Sequence, residues 1–213
     1  MHKLFRKKYR VFRRRLRGQI FPLTACVMLL GIGFLGYAMY MDSHRPTVNP
    51  AAYLPLLSLI GRVESNDNYN AYFGNASNKE IIFTDMTIAE VMKWQEDFIA
   101  QGHASSAVGR YQIISTTLAG LVRQLDLDTT QKFDAAMQDR LAIALLERRG
   151  SIDYAVQQLA PHEFAANIAK EWAALPRAVG DKPNASYYDG DGLNASRTNV
   201  DEVMKAIKPI SAE

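Results

Sequence analysis

Residues 55–70, "PLLSLIGRVESNDNYN", change character at a single point. Leu56, Leu57, Ile60 and Val63 recur at spacings of three and four, which places them on one face of a helix. Pro55 is tolerated in the opening turn, where the amide it lacks has no helical partner. The apolar face ends at Val63, the next residue is Glu64, and the following "SNDNYNAYFGNASN" is too rich in Asn, Ser and Gly to prolong the helix. Most glutamates at helix ends are solvated charges. Here the apolar face runs up to the carboxylate's neighbour, so burial disfavours the charged form, and the partial negative charge of a helix C-terminus opposes ionisation further. Both effects raise the pKa, as a general acid near neutral pH requires.

Downstream, "TIAEVMKWQEDFIAQG" has Thr87 and Glu90 at capping-box spacing, apolar Ile88, Val91, Met92, Phe98 and Ile99, and Gly102 as a stop. Further helices are predicted over residues 116–125 and 130–149, the latter burying Phe133, Met137, Leu141, Ala144 and Leu145. Pro161 opens another, "PHEFAANIAKEWAAL", closed by Pro176, and "NVDEVMKAI" forms the last after Asn199. Strand signals are few. The fold class is mainly α (α+β), with a small irregular or β region at residues 69–83 and a long loop at 176–198.

The N-terminus is a different kind of sequence. "MHKLFRKKYRVFRRRLR" carries nine of the 25 basic residues and no acid, which leaves 16 basic against 22 acidic residues beyond Met41. A basic tail thus precedes an acidic body of charge −6 (16 − 22). Clustered cations suit nucleic acid, but residues 18–41 are uncharged and long enough as a helix to cross a bilayer. The flanking cations then hold the N-terminus in the cytoplasm, so no nucleic-acid partner is expected. The expected organisation is a basic cytoplasmic tail (1–17), a transmembrane signal-anchor in the inner membrane (18–41), a linker (42–50) and a periplasmic domain (51–213). A cleaved signal peptide is the rival reading, for which both the basic and the apolar stretches are long. Gly31, Gly33 and Gly36 make the span weakly apolar and suit release from the bilayer. The single cysteine, Cys26, lies in the span, so the outer domain has no disulfide.

Several chemistries are set aside. The four histidines are scattered, with no HExxH and no Cys/His pairs, so no metal or other cofactor is expected. "DGDGLN" at 189–194 resembles the start of a calcium loop, but Leu193 and Val200 stand where ligands are needed. No nucleotide-binding turn or nucleophile elbow is present. Three sequons, at Asn75, Asn184 and Asn194, would be glycan acceptors in a eukaryotic lumen and read otherwise as ordinary loop residues.

Four segments in order, "GRVESNDNYNAYFGN", "FTD" at 83–85, "SSAVGRYQIISTTL" and "EWAALP", resemble the lambda-type phage endolysins of the lysozyme-like superfamily, which also holds the soluble lytic transglycosylases. The resemblance spans residues 55–176 and implies a lysozyme-like domain. It implies cleavage of the β-1,4 bond between N-acetylmuramic acid and N-acetylglucosamine in peptidoglycan, so glycan strands are the expected partner. Glu64 falls on the family's catalytic glutamate, which protonates the leaving oxygen and then takes the proton of the sugar's 6-hydroxyl, giving a 1,6-anhydro product. The resemblance also places "VGRYQ" at 108–112 on the cleft wall opposite. There Gly109 permits close backbone approach, Tyr111 offers an apolar plate with a polar edge, and Gln112 both donates and accepts hydrogen bonds. The family's cleft tyrosine maps to Tyr187 or Tyr188, in a loop longer than the lambda-type pattern, and Trp172 reads as core. Asp67 and Asp85 are the nearest acids along the chain, and a hydrolytic muramidase using one of them is the alternative. A non-catalytic envelope protein and a lumenal glycoprotein are the remaining alternatives.

Overall fold

In the computed structural model, which describes residues 46–211, helix α1 (Leu54–Ser65) buries the face foreseen in the sequence: Leu56, Leu57, Ile60 and Val63 are all inside. The basic tail, the proposed anchor at 18–41 and the start of the linker lie outside the described residues. From Thr47 onward the chain is one compact unit, and among the described residues no helix is long and apolar enough to cross a membrane. A 3-10 turn, Pro50–Tyr53, feeds α1 and buries Tyr53, whose hydroxyl pairs with Ser151 Oγ at 2.8 Å.

Helix α2 (Ile88–Ala100) carries the expected capping box: the Glu90 amide donates to Thr87 Oγ1 at 3.2 Å and the Thr87 amide to Glu90 Oε2 at 2.7 Å. Its buried face is Ile88, Val91, Gln95 and Phe98, whereas Ile99, expected inside, is exposed. Helix α3 (Ser115–Gln124) packs on α2.

Three expectations are corrected. Helix α4 (Ala135–Arg148) starts five residues after the foreseen Thr130, because Asp134 caps it by accepting from the Met137 amide at 2.8 Å, and the preceding residues form turns. A short helix, α5 (Ser151–Ala155), was not foreseen. Helix α6 (Pro161–Ile168) starts at the expected proline but ends well before Pro176. There the Lys170 amide bonds Asn167 O and the Glu171 amide bonds Ile168 O, three-residue turns that tighten and end the helix. Helix α7 (Val200–Ile207) is capped by Asn199 and packs against both α1 and α6.

The small β region reduces to isolated bridges, Tyr72 with Asn75 and with Val108, and Val108 with Ile113. Side-chain amides satisfy the backbone there in place of a ladder. Asn68 Nδ2 donates to the carbonyls of Ala76 and Asn78, Asn78 Nδ2 to that of Ile81 at 2.7 Å, and Asn70 Oδ1 accepts from the Thr84 amide. The mainly α reading holds, and its β component is a loop stitched by asparagines.

Candidate active site

Glu64 sits in the last turn of α1. Asn66 and Asp67 follow in left-handed conformation, at φ 55° and 62°, a region Asn and Asp tolerate better than other side chains. Their amides return to the carbonyls of Arg62 and Gly61, at 3.2 and 3.0 Å, so the chain turns away directly after the carboxylate. Glu64 is half-buried, and its Oε1 accepts from the Ala174 amide at 3.1 Å. Ala174 is buried in the turns beyond α6, and its carbonyl accepts the Arg197 amide at 2.9 Å. The Arg197 guanidinium reaches the Val63 carbonyl at 3.3 Å. Burial pushes the Glu64 carboxyl above the ordinary carboxylate range, and the Ala174 amide and the Arg197 charge pull it partly back.

The 108–112 loop is tied to both sides of this glutamate. Ser65 Oγ donates to the Arg110 carbonyl at 2.8 Å, and Trp172 Nε1 donates to the Tyr111 carbonyl at 3.1 Å. The loop is closed by paired bonds between Val108 and Ile113 and by the Gly109 amide on Ala71 O at 2.8 Å. Beneath it lies Gln138, fully buried, whose Oε1 accepts the Arg110 amide at 2.9 Å while its Nε2 donates to the carbonyls of Tyr69 and Phe133. Gly109 has φ 76°, and a Cβ there would strike the Gln138 side chain. The absent Cβ thus admits Gln138.

Arg110 organises the next layer. Its guanidinium donates to Asp67 Oδ1 at 2.7 and 3.1 Å, to the Tyr69 hydroxyl at 3.1 Å and to the Tyr111 hydroxyl at 2.9 Å. Both tyrosines in turn donate to Asp139 Oδ1. Burial, followed by Asp139, holds the Tyr111 hydroxyl far above its ordinary value. Tyr111 is 1% exposed, so most of its ring is core, and the residue also lines the pocket beside Gln112. The network occupies the Asp67 carboxylate. Asp85 is exposed at the end of a 3-10 turn, Phe83–Asp85. Among the described residues no carboxylate makes a hydrogen bond with Glu64 or is a charge acting on it.

Gln112 is half-buried at φ 46°, and its Nε2 donates to the Gly109 carbonyl at 2.9 Å. It lines a pocket of about 250 Å3 together with Trp172 and Tyr188. Tyr188 is fixed there by its hydroxyl on the Lys170 carbonyl at 2.8 Å and by its amide on Ser186 Oγ, which itself donates to the Ala173 carbonyl. Tyr187 lies beside the cations of Lys170 and Arg177 and is not itself part of the lining. Trp172 is core, as read from the sequence, at 3% exposure. Glu64 is also absent from the lining. The glutamate and the pocket are neighbours joined by residues 172–174, and the structure brings Gln112 and Tyr188 together but leaves Asp67, Asp85 and Tyr187 apart.

Arg110, Asp139, Gln138, Ala174 and Arg197 were missed in the sequence. Only Gln138 had a legible signal, a polar residue on the apolar face of α4 beside Met137 and Leu141. Among the described residues, no three His, Cys, Asp or Glu side chains cluster as a metal site requires.

The family model described as Endolysin matches residues 56–190, more than half of the chain. Among solved structures, the lysozyme of bacteriophage lambda complexed with a chitohexasaccharide is 17% identical, with 79% of this chain and 99% of that one covered at a TM-score of 0.47. A second structure of lysozyme from bacteriophage lambda matches at the same identity and coverage, with a TM-score of 0.45. No curated protein sequence matches the chain.

Proposed function

The chain belongs to the endolysin family, the lysozyme-like enzymes that cleave peptidoglycan in phage lysis, and from that premise we propose that it is a lytic transglycosylase working through Glu64 alone. The observation that carries this reading is a half-buried glutamate with a raised pKa, one backbone donor and no carboxylate partner among the described residues. Protonated Glu64 gives its proton to the glycosidic oxygen between N-acetylmuramic acid and N-acetylglucosamine, and the bond to the muramoyl C1 breaks. The carboxylate left behind is stabilised by the Ala174 amide and the Arg197 charge. It then takes the proton of the muramoyl 6-hydroxyl as O6 closes on C1, so no water enters and the acid is restored. The usual paired acids of a glycosidase are not needed for this. Gln112 and Tyr188 are the proposed glycan contacts.

The N-terminus supplies delivery. We infer from its composition that residues 18–41 are a signal-anchor holding the domain on the periplasmic face of the inner membrane, and that the weakly apolar span favours later release. Fractionation of expressing cells tests this: protein that stays permanently integral contradicts the release, and protein found only in the cytosol contradicts the anchor. The catalytic assignment is tested with purified peptidoglycan and Glu64→Gln. A positioned acid contributes roughly 100- to 10,000-fold, so the variant should lose at least two orders of magnitude in rate. Cleavage equal to wild type discards the assignment.

A further inference from the structure

We propose that the pocket beside Glu64 is a subsite for a carboxylate of the substrate's stem peptide. This rests on the reading of the chain as a peptidoglycan-cleaving enzyme and specifies which part of that polymer is recognised besides the sugars.

Arg148, Arg149, Lys170 and Glu171 all line the pocket. The two arginines share one carboxylate, Glu171, at 3.2 and 2.7 Å. Lys170 has no carboxylate partner among the described residues: its Nζ contacts Asn167 Oδ1 at 3.2 Å and lies 5.8 Å from the centre of the Tyr187 ring. Three cations against one anion leave the pocket at +2, on an outer domain whose own balance is −6 (16 − 22). N-acetylated sugars present hydroxyls and amides, which call for neutral donors and acceptors such as Gln112. They do not call for a surplus of cations. The anionic part of peptidoglycan is the stem peptide, which hangs from the lactyl group of the muramic acid whose C1 reacts. A carboxylate is matched by the ammonium of Lys170, which has no carboxylate partner among the described residues, beside Arg148, whose guanidinium Glu171 already holds.

Reach agrees with charge. Lys170 precedes Ala174, the residue bonded to Glu64, by four positions, so the two backbones stand at most about 14 Å apart. A stem of three or four residues extends over a similar length. A carboxylate near its end is therefore within reach of Lys170 when its own muramic acid sits at Glu64. Lys170 and Arg148 are both exposed, so replacing either does not disturb the core.

The test compares three substrates with the full-length protein: intact peptidoglycan, the same strands stripped of peptides by an amidase with the lactyl carboxylates thus exposed converted to amides, and strands whose peptide carboxylates have been converted to amides. Wild type is expected to show its lowest KM on intact strands. Lys170→Ala should raise that KM about tenfold, the loss of a charge-assisted hydrogen bond, and should leave kcat and the cleavage of stripped strands unchanged, while Lys170→Arg restores the wild-type KM. Amidated strands should behave like stripped ones. The proposal is overturned if wild type treats all three alike, if Lys170→Ala slows stripped and intact strands equally, or if amidation has no effect. Each of those outcomes leaves the cleavage reading standing, whereas a wild type that cuts none of the three overturns that reading and this proposal with it.

Discussion

At the scale of the residue, Glu64 is held where burial disfavours its charge. Its folded-state pKa lies above the ordinary 4.5, so the native state binds the proton more tightly than the unfolded chain. Stability from this group is fully present below 4.5 and is lost as pH rises through the folded pKa. Glu64→Gln removes the charge that burial disfavours and keeps an oxygen for the Ala174 amide. Thermal melts should therefore show the variant more stable than wild type near neutral pH, with the gain vanishing below 4.5. A gain independent of pH contradicts the raised pKa. Gln112 makes a second case, because its φ of 46° is strained for a residue with a Cβ. Gln112→Gly should stabilise the fold by about 1 kcal/mol while raising KM for glycan strands, and a destabilised variant contradicts the argument from strain. Glu64 was legible in the sequence because an apolar period of three and four stops next to it. Its partner Ala174 lies 110 residues away, offers only a backbone amide, and has no side-chain signature that any local pattern would reveal.

Elements were legible where local chemistry fixes them and illegible where distant partners do. The cap of α2 is written in two residues three apart, and both of its bonds are present. The early end of α6 has no such marker, since "IAKEWAAL" has good helix formers throughout. The helix stops at Ile168, and the turns after it carry the Trp172 indole to the Tyr111 carbonyl and the Ala174 amide to Glu64. The 108–112 loop is the element on which the site depends, and Gln138 supports it from below. Gly109→Ala should cost about 2 kcal/mol or more, combining a positive φ with a clash against a buried side chain. Gln138→Leu strands the Arg110 amide and two carbonyls at about 1–3 kcal/mol for each group left buried and unpaired. Denaturant melts measure both. If Gln138→Leu is as stable as wild type, the support assigned to Gln138 is wrong.

At the scale of the molecule, the mainly helical architecture followed from period and punctuation, and of the irregular or β region expected at 69–83 the irregular alternative holds, with asparagine side chains bonding its backbone. The candidate site spans α1, the 108–112 loop, the turns after α6 and the segment before α7, four parts of the chain whose meeting no single stretch encodes. The central claim is that one glutamate cleaves the glycan without a second carboxylate and without water. The most direct measurement is digestion of purified peptidoglycan in oxygen-18 water, with the fragments weighed by mass spectrometry. Anhydro-muramoyl ends, lighter by one water and free of the label, are the result expected of Glu64 acting alone. Reducing ends carrying one labelled oxygen would contradict it and require a hydrolase with a second group to activate the water.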